Sequence, residues 1–436
     1  MSTLVSSPAG PLRGSVSVPG DKSISHRALL LGAVAHGETR IRGLLEAEDV
    51  RSSAACLRTL GVELVLAGEG RATVAGAGFE GLCPPAGPLD VGNSGTSLRL
   101  LLGILAGRPF RSVLMGDESL SRRPNDHVAR PLRRMGARVS GRGERCLPPV
   151  RVQGGRLRPL SHETPIASAQ LKSALLLAGA QAEGMTTISE PSPSRDHTER
   201  MLAAMGANLQ VSGTTVALQG PVRLRGGAFT VPGDLSAAAF LLVAACLVPG
   251  SRVVVENVGV NPTRTGALEV LAAMGADLVV TPLAGAGGEP LARVEARHSS
   301  LRGVELGGEL IPRLLDEVPI LAVAACLAEG RTVIRGAQAL RIKESDRLHS
   351  LAVELGQLGA KITELEDGLE IEGGRRLQGG DSQCYGDHRM AMSLAVAGLV
   401  AARPVRVHGA ECIATSYPDF ARHLAALGAV VAEEEP

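Results

Sequence analysis

Leu202-Ala-Ala-Met-Gly-Ala207 and Leu271-Ala-Ala-Met-Gly-Ala276 are the same six residues. Leu57-Arg-Thr-Leu-Gly-Val62, Leu132-Arg-Arg-Met-Gly-Ala137, Leu355-Gly-Gln-Leu-Gly-Ala360 and Leu424-Ala-Ala-Leu-Gly-Ala429 are close variants of them. Copies recur about every 70–85 residues, the mark of a repeated structural unit. Each reads as a helix end: an amphipathic stretch runs up to a glycine (Gly61, Gly136, Gly206, Gly275, Gly359, Gly428) suited to a left-handed conformation, and a strand-like segment such as Ala207-Asn-Leu-Gln-Val211 follows.

A second phrase alternates with the first, a polar head followed by an apolar run of helix length. The heads are Asp21-Lys22-Ser23, Asn93-Ser94-Gly95-Thr96, Ser168-Ala169-Gln170, Asp234-Leu235-Ser236, Asp316-Glu317 and Asp387-His388-Arg389. Runs such as Ala28-Leu-Leu-Leu-Gly-Ala-Val-Ala35 and Ala237-Ala-Ala-Phe-Leu-Leu-Val-Ala-Ala-Cys246 are apolar on nearly every side, which predicts buried helices. The amphipathic helices then cover sheets packed on the inner ones. Six units divide most simply as three per domain. The expected class is α+β (mixed α/β): two similar domains, each of three βαβαββ units packed around buried parallel helices, an inside-out α/β barrel or prism. Val18-Pro-Gly-Asp-Lys-Ser23 returns as Val231-Pro-Gly-Asp-Leu-Ser236. Chain crossings at these sites predict a continuous domain over 21–232 and a discontinuous one over 1–20 and 233–436, with hinges near 18–22 and 231–235.

The 436 residues suit more than one domain. With 45 basic and 44 acidic residues nothing in the overall charge points to nucleic acid or an anionic membrane. The longest apolar stretch, residues 237–248, is too short for a bilayer span, and the N-terminus has no leader pattern, so a cytoplasmic chain is expected. Seven scattered cysteines without a CxxC pair read as reduced thiols.

Helix N-termini carry free N–H groups and the positive end of a dipole, so the six heads are candidate anion sites. Lys22 and Ser23 stand at one helix start with Arg27 a turn later. Asn93-Ser94-Gly95-Thr96 resembles a phosphate cradle; Ser168-Ala169-Gln170 offers neutral donors. Arg123 is held extended by Pro124, pointing either to solvent or to a site. Arg195 could cap a carboxylate or pair with Asp196 or Glu199. Asp316 lies at the entrance of an apolar helix, as a tuned base or an N-cap. Lys343 and Arg347, four apart, are expected on one helix face with Glu344 beside them, and Arg389 follows at the last head. So many cations suit two polyanionic substrates. No Walker loop, paired-histidine metal spacing or nucleophile elbow occurs.

In combination Lys22-Ser23 with Arg27, Gly92-Asn93-Ser94-Gly95-Thr96, Arg123-Pro124, Ser168-Ala169-Gln170, Lys343-Glu344-Ser345-Asp346-Arg347 and Asp387-His388-Arg389-Met390-Ala391-Met392 resemble the enolpyruvylshikimate phosphate synthase family, in order along almost the whole chain. The resemblance implies two domains closing on shikimate 3-phosphate and phosphoenolpyruvate, as a monomer, with no metal and no cofactor. It implies that Lys22, Ser23, Arg27, Ser168, Ala169 through its backbone, Gln170, Arg195, Asp316 and Lys343 hold the shikimate substrate. Lys22, Gly95, Arg123, Gln170, Arg347 and Arg389 hold phosphoenolpyruvate. Asp316, Glu344 and Lys22 move protons. Ala169, Ala339 and Thr415 depart from one branch of the family, which has Ser, Asn and Lys there. The related enzyme acting on UDP-N-acetylglucosamine would carry Asn after the first lysine and a cysteine within 111–121; this chain has Ser23 and no cysteine there. A non-catalytic anion-binding scaffold built from the same repeats is the rival of another class.

Overall fold

The computed structural model describes residues 2–284 and 288–434. Twelve α-helices follow one another in them: α1 (Lys22–Ala33), α2 (Glu48–Thr59), α3 (Gly95–Leu105), α4 (Asp126–Arg134), α5 (Ala169–Gly179), α6 (His197–Ala204), α7 (Leu235–Leu247), α8 (Gly266–Ala273), α9 (Val318–Leu327), α10 (Arg347–Gln357), α11 (His388–Gly398) and α12 (Phe420–Ala426). The odd-numbered helices are the apolar runs. Every residue of α7 from Leu235 to Cys246 is buried, as is every residue of α11. The even-numbered helices end at the repeated phrase, and all six of its glycines have φ between +87° and +112°, where a side chain would be strained. Among the described residues no helix is long and apolar enough to cross a membrane.

Six four-stranded sheets complete the architecture among the described residues, each joined by one parallel and two antiparallel pairings. The fold is mixed α/β. The chain separates into two compact units: Gly20–Val231 with the short stretch ending at Glu289, and Met1–Pro19, Pro232–Ala284 and Pro290–Pro436. Each has its own apolar core, around α1, α3 and α5 in the continuous unit and around α7, α9 and α11 in the discontinuous one.

Two strands are exchanged where the chain passes from unit to unit. Arg13–Ser17 precedes α1 in sequence but lies parallel to Arg252–Gly259 of the discontinuous unit, whereas Ala228–Thr230 precedes α7 but lies parallel to His36–Arg42 of the continuous one. The Val-Pro-Gly sites follow these strands. Their glycines answer to close approach of neighbouring chain: a Cβ on Gly20 would collide with the Gly43 carbonyl oxygen, and one on Gly233 would lie 2.9 Å from the Val18 side chain and 3.2 Å from the Asn257 carbonyl oxygen.

Five of the six inner helices are capped by the head residue's own side chain. Asp21 accepts from the Ile24 N–H, Ser94 from Ser97, Ser168 from Leu171, Asp234 from Ser236 and Asp387 from Arg389. The exception is α9, entered through a 3₁₀ turn over Leu315–Glu317, with Glu317 at the cap position making no such bond and Pro319 in the first turn. Asp316 is therefore not the N-cap, and its carboxylate is turned to other partners.

Candidate active site

In the continuous unit the head of α1 sets the geometry. Capping by Asp21, through Ile24 N–H at 2.9 Å, leaves Lys22 and Ser23 in the first turn. Lys22 Nζ is 3.0 Å from the buried Asp49 carboxylate on α2, which holds the ammonium in place while part of it stays exposed. Arg27 is buried: Nε donates to Thr198 Oγ1 at 2.6 Å, Nη2 to Ser173 Oγ at 2.9 Å and Nη1 to the Ser23 carbonyl at 2.8 Å. Burial pulls this guanidinium down to about 10, against the opposing pull of Glu199. Arg195 Nη1 donates to Ser23 Oγ at 3.4 Å, so Ser23 stands between two guanidiniums.

The heads of α3 and α5 are tied together. Gln170 Nε2 donates to Thr96 Oγ1 at 2.9 Å, and its Oε1 accepts from Arg99 Nη1. Ser168 opens α5, and Ala169 is its first residue, half-buried. Arg123 Nη2 reaches Asn93 Oδ1 at 2.8 Å and Ser119 Oγ at 3.0 Å, so the guanidinium is braced beside the α3 head and not free in solvent. Gly95 begins α3; a Cβ there would meet Arg99 Nη1 at 3.5 Å and Arg123 Nη1 at 3.9 Å, ordinary contacts. Nothing in the fold demands a glycine at 95, and the room it leaves borders a cation.

The discontinuous unit carries a second cluster, around Asp316. Arg347, 1% exposed, donates from Nε to Asp387 Oδ2 at 2.7 Å, from Nη2 to Glu344 Oε2 at 2.7 Å and from Nη1 to Asp316 Oδ1 at 3.4 Å. Burial would lower this guanidinium, but Asp387, Glu344 and Asp316 outweigh it and raise it above its usual value. Arg389 Nη1 donates to the Asp316 carbonyl at 3.2 Å, and its Nη2 is 3.9 Å from the Asp316 carboxylate. Arg264 completes the ring, 3.9 Å from the same carboxylate and bonded to Asp234 Oδ1 at 3.0 Å and Ser236 Oγ at 2.7 Å. One carboxylate thus faces three guanidiniums. Lys343 and Glu344 do not share a helix face with Arg347: α10 begins at Arg347, and both residues lie half-buried in the preceding turn, capped off by Asp346.

Sequence reading missed Asp49, Arg99 and Arg264, and placed Asp387 at a helix head without its pairing to Arg347. It had one usable signal: Asp49, Arg123, Arg195, Arg264 and Arg347 all stand at or just before the start of an even-numbered helix, so aligning the six units would have singled out that position. Asp196, His197 and Glu289 bring metal-ligand atoms within 4.8 Å of one another. Arg200 Nε already donates to Asp196 at 2.9 Å, and His197 Nδ1 shares a 2.8 Å bond with Glu289, so protein groups satisfy these carboxylates.

Two units of strand–helix repeats, with cations and acid–base groups gathered at inner-helix heads, define a chain built to hold small polyanions. The solved EPSP synthase from Acinetobacter baumannii superposes with a TM-score of 0.90 at 43% identity, covering 100% of both chains. The enolpyruvyl transferase NikO from Streptomyces tendae shares the fold, with a TM-score of 0.81 at 22% identity over 100% of this chain and 99% of that one. The 3-phosphoshikimate 1-carboxyvinyltransferase of Gloeobacter violaceus is 55% identical over 96% of this chain and 97% of its own length. That of Desulforamulus reducens is 51% identical over 96% and 97%. A sequence model described as EPSP synthase (3-phosphoshikimate 1-carboxyvinyltransferase) matches residues 7–424, and the chain belongs to that family.

Proposed function

We propose that this chain transfers the enolpyruvyl group of phosphoenolpyruvate to the 5-hydroxyl of shikimate 3-phosphate, releasing inorganic phosphate, as a step of aromatic amino acid biosynthesis. The observation that carries the reading is the Asp316 carboxylate facing Arg264, Arg347 and Arg389, with Glu344 on Arg347. Family membership supports it along nearly the whole chain.

Lys22, Ser23, Arg27, Ser168, the Ala169 backbone, Gln170 and Arg195, with Asp316 and Lys343, bind the shikimate substrate. Lys22, Gly95, Arg123, Gln170, Arg347 and Arg389 bind phosphoenolpyruvate. The 5-oxygen attacks C2 as its proton passes to Asp316, and C3 takes up a proton, giving a tetrahedral adduct. Expulsion of phosphate and loss of a proton from C3 then restore the vinyl group. Glu344 and Lys22 serve the C3 proton and the departing phosphate. Arg347 directs its donors to Asp316, Glu344 and Asp387. A substrate carboxylate at Arg347 and Arg389 competes for the donors on Asp316, leaving its oxygens open to the hydroxyl. The enzyme works as a cytoplasmic monomer, without metal or cofactor.

The test is phosphate release from phosphoenolpyruvate in the presence of a chelator, with shikimate 3-phosphate or UDP-N-acetylglucosamine as acceptor. Release with the shikimate substrate alone is expected. Release with the sugar nucleotide alone, or with neither, overturns the assignment.

A further inference from the structure

The continuous unit buries another set of charges, none of which belongs to the substrate-binding set. Lys172 Nζ on α5 stands 2.7 Å from Glu190 Oε2 and 2.7 Å from Glu199 Oε1, with all three side chains at most 4% exposed. Burying two carboxylates with one ammonium is a poor way to gain stability, since apolar side chains of similar volume often do as well or better. The explanation lies in what the trio touches. Ser168, in an extended conformation before α5, has a backbone N–H outside the helix ladder, and Glu190 Oε1 accepts it at 2.8 Å. Glu190 Oε2 also accepts from Ser194 Oγ at 2.7 Å, and Lys172 Nζ donates to the Ser194 carbonyl at 3.4 Å. Ser194 precedes Arg195, and Glu199 follows Thr198, the acceptor of Arg27 Nε.

We propose that Lys172, Glu190 and Glu199 are positioning residues for the shikimate substrate: the buried ammonium fixes Glu190, and Glu190 fixes the Ser168 head and the Ser194-Arg195 segment in register with Arg27. The proposal rests on the functional reading above, which gives Ser168, Arg195 and Arg27 to that substrate. The device acts through other side chains and touches no reacting atom, so its removal weakens binding of one substrate and leaves the chemical step nearly intact.

Glu190→Gln replaces an acceptor oxygen with a donor in a place lined by donors. Loss of a hydrogen bond to a charged group corresponds to roughly a tenfold or larger change in an equilibrium constant. KM for shikimate 3-phosphate should therefore rise about tenfold or more, with kcat within about threefold and KM for phosphoenolpyruvate unchanged at saturating co-substrate. Ser194→Ala removes one bond of the same device and leaves the charges in place. The double variant should raise KM by clearly less than the product of the two single effects. A wild-type KM in folded Glu190→Gln, or single effects that multiply, would make the trio a purely structural ion cluster and overturn the proposal alone. No turnover of shikimate 3-phosphate by the unsubstituted enzyme would overturn the functional reading, and the device with it.

Discussion

Removing the Asp387 carboxylate tests how the discontinuous unit holds its cations. The group is fully buried and accepts four bonds: Arg347 Nε at 2.7 Å and Nη2 at 3.2 Å, the Arg389 N–H at 2.9 Å and Ser345 Oγ at 3.2 Å. Breaking a buried ion pair from one side costs about 3–5 kcal/mol. Arg347 retains Glu344 at 2.7 Å and Asp316 at 3.4 Å, which argues for the lower end. Losing the α11 cap adds about 1 kcal/mol. Asp387→Ala should thus lose about 4 kcal/mol in the urea transition of this unit. Asp387→Asn keeps a good capping side chain and loses the charge, so it should lose about 1 kcal/mol less than the alanine variant. Both should raise KM for phosphoenolpyruvate, because a guanidinium released from Asp387 leans further onto Asp316 and Glu344. A change under about 1 kcal/mol in Asp387→Ala, or an Asn variant as damaged as the Ala variant, refutes this division between charge and cap.

Asp316→Ala should abolish turnover by a factor of about 10² or more while the dissociation constant for shikimate 3-phosphate, measured by equilibrium binding, moves only a few-fold; lost binding with normal turnover of bound substrate removes it as the base. His26 is fully buried, with Nδ1 2.8 Å from Ser53 Oγ, and burial lowers it from 6.5 to about 3 against the opposing pull of Asp49. Below pH 6.5 the unfolded chain takes up a proton that the folded one refuses until about 3, so stability falls as pH drops across that window. At about 1.4 kcal/mol per unit, His26→Gln should lose about 2 kcal/mol less than wild type between pH 7 and pH 5; parallel slopes count against the assignment. The Cys384 and Cys412 sulfurs are 3.6 Å apart, and the Asp387 N–H bonds to the Cys384 carbonyl at 2.9 Å. Diamide should join them as a disulfide, lowering the thiol count by two and activity with it, and dithiothreitol should restore both; an unchanged thiol count rules the pair out.

What the sequence made legible is what the chain encodes locally. A glycine after an amphipathic run must end a helix, and a run apolar on all sides must be covered, so the alternation of inner and outer helices could be read from Gly206 and Gly275 outward. The partners of the charges could not be, because they are fixed by packing between distant segments. Lys22 meets Asp49 and Arg27 meets Thr198 and Ser173 only because α1, α2, α5 and α6 pack in one unit. The same limit produced the misreading of Lys343 and Arg347, whose spacing of four suggests a helix face although the helix starts only at Arg347. Repetition supplies part of what locality lacks. Asp49 answers Lys22 from the start of α2, and Arg264 answers Asp234 from the start of α8, one a carboxylate reaching back to a cation and the other a cation reaching back to a carboxylate. The repeat preserves the reach from outer-helix start to inner-helix head and leaves the sign of the charge open. Repeated units can thereby diverge, one head gathering cations and another a carboxylate, without changing the backbone that brings them there.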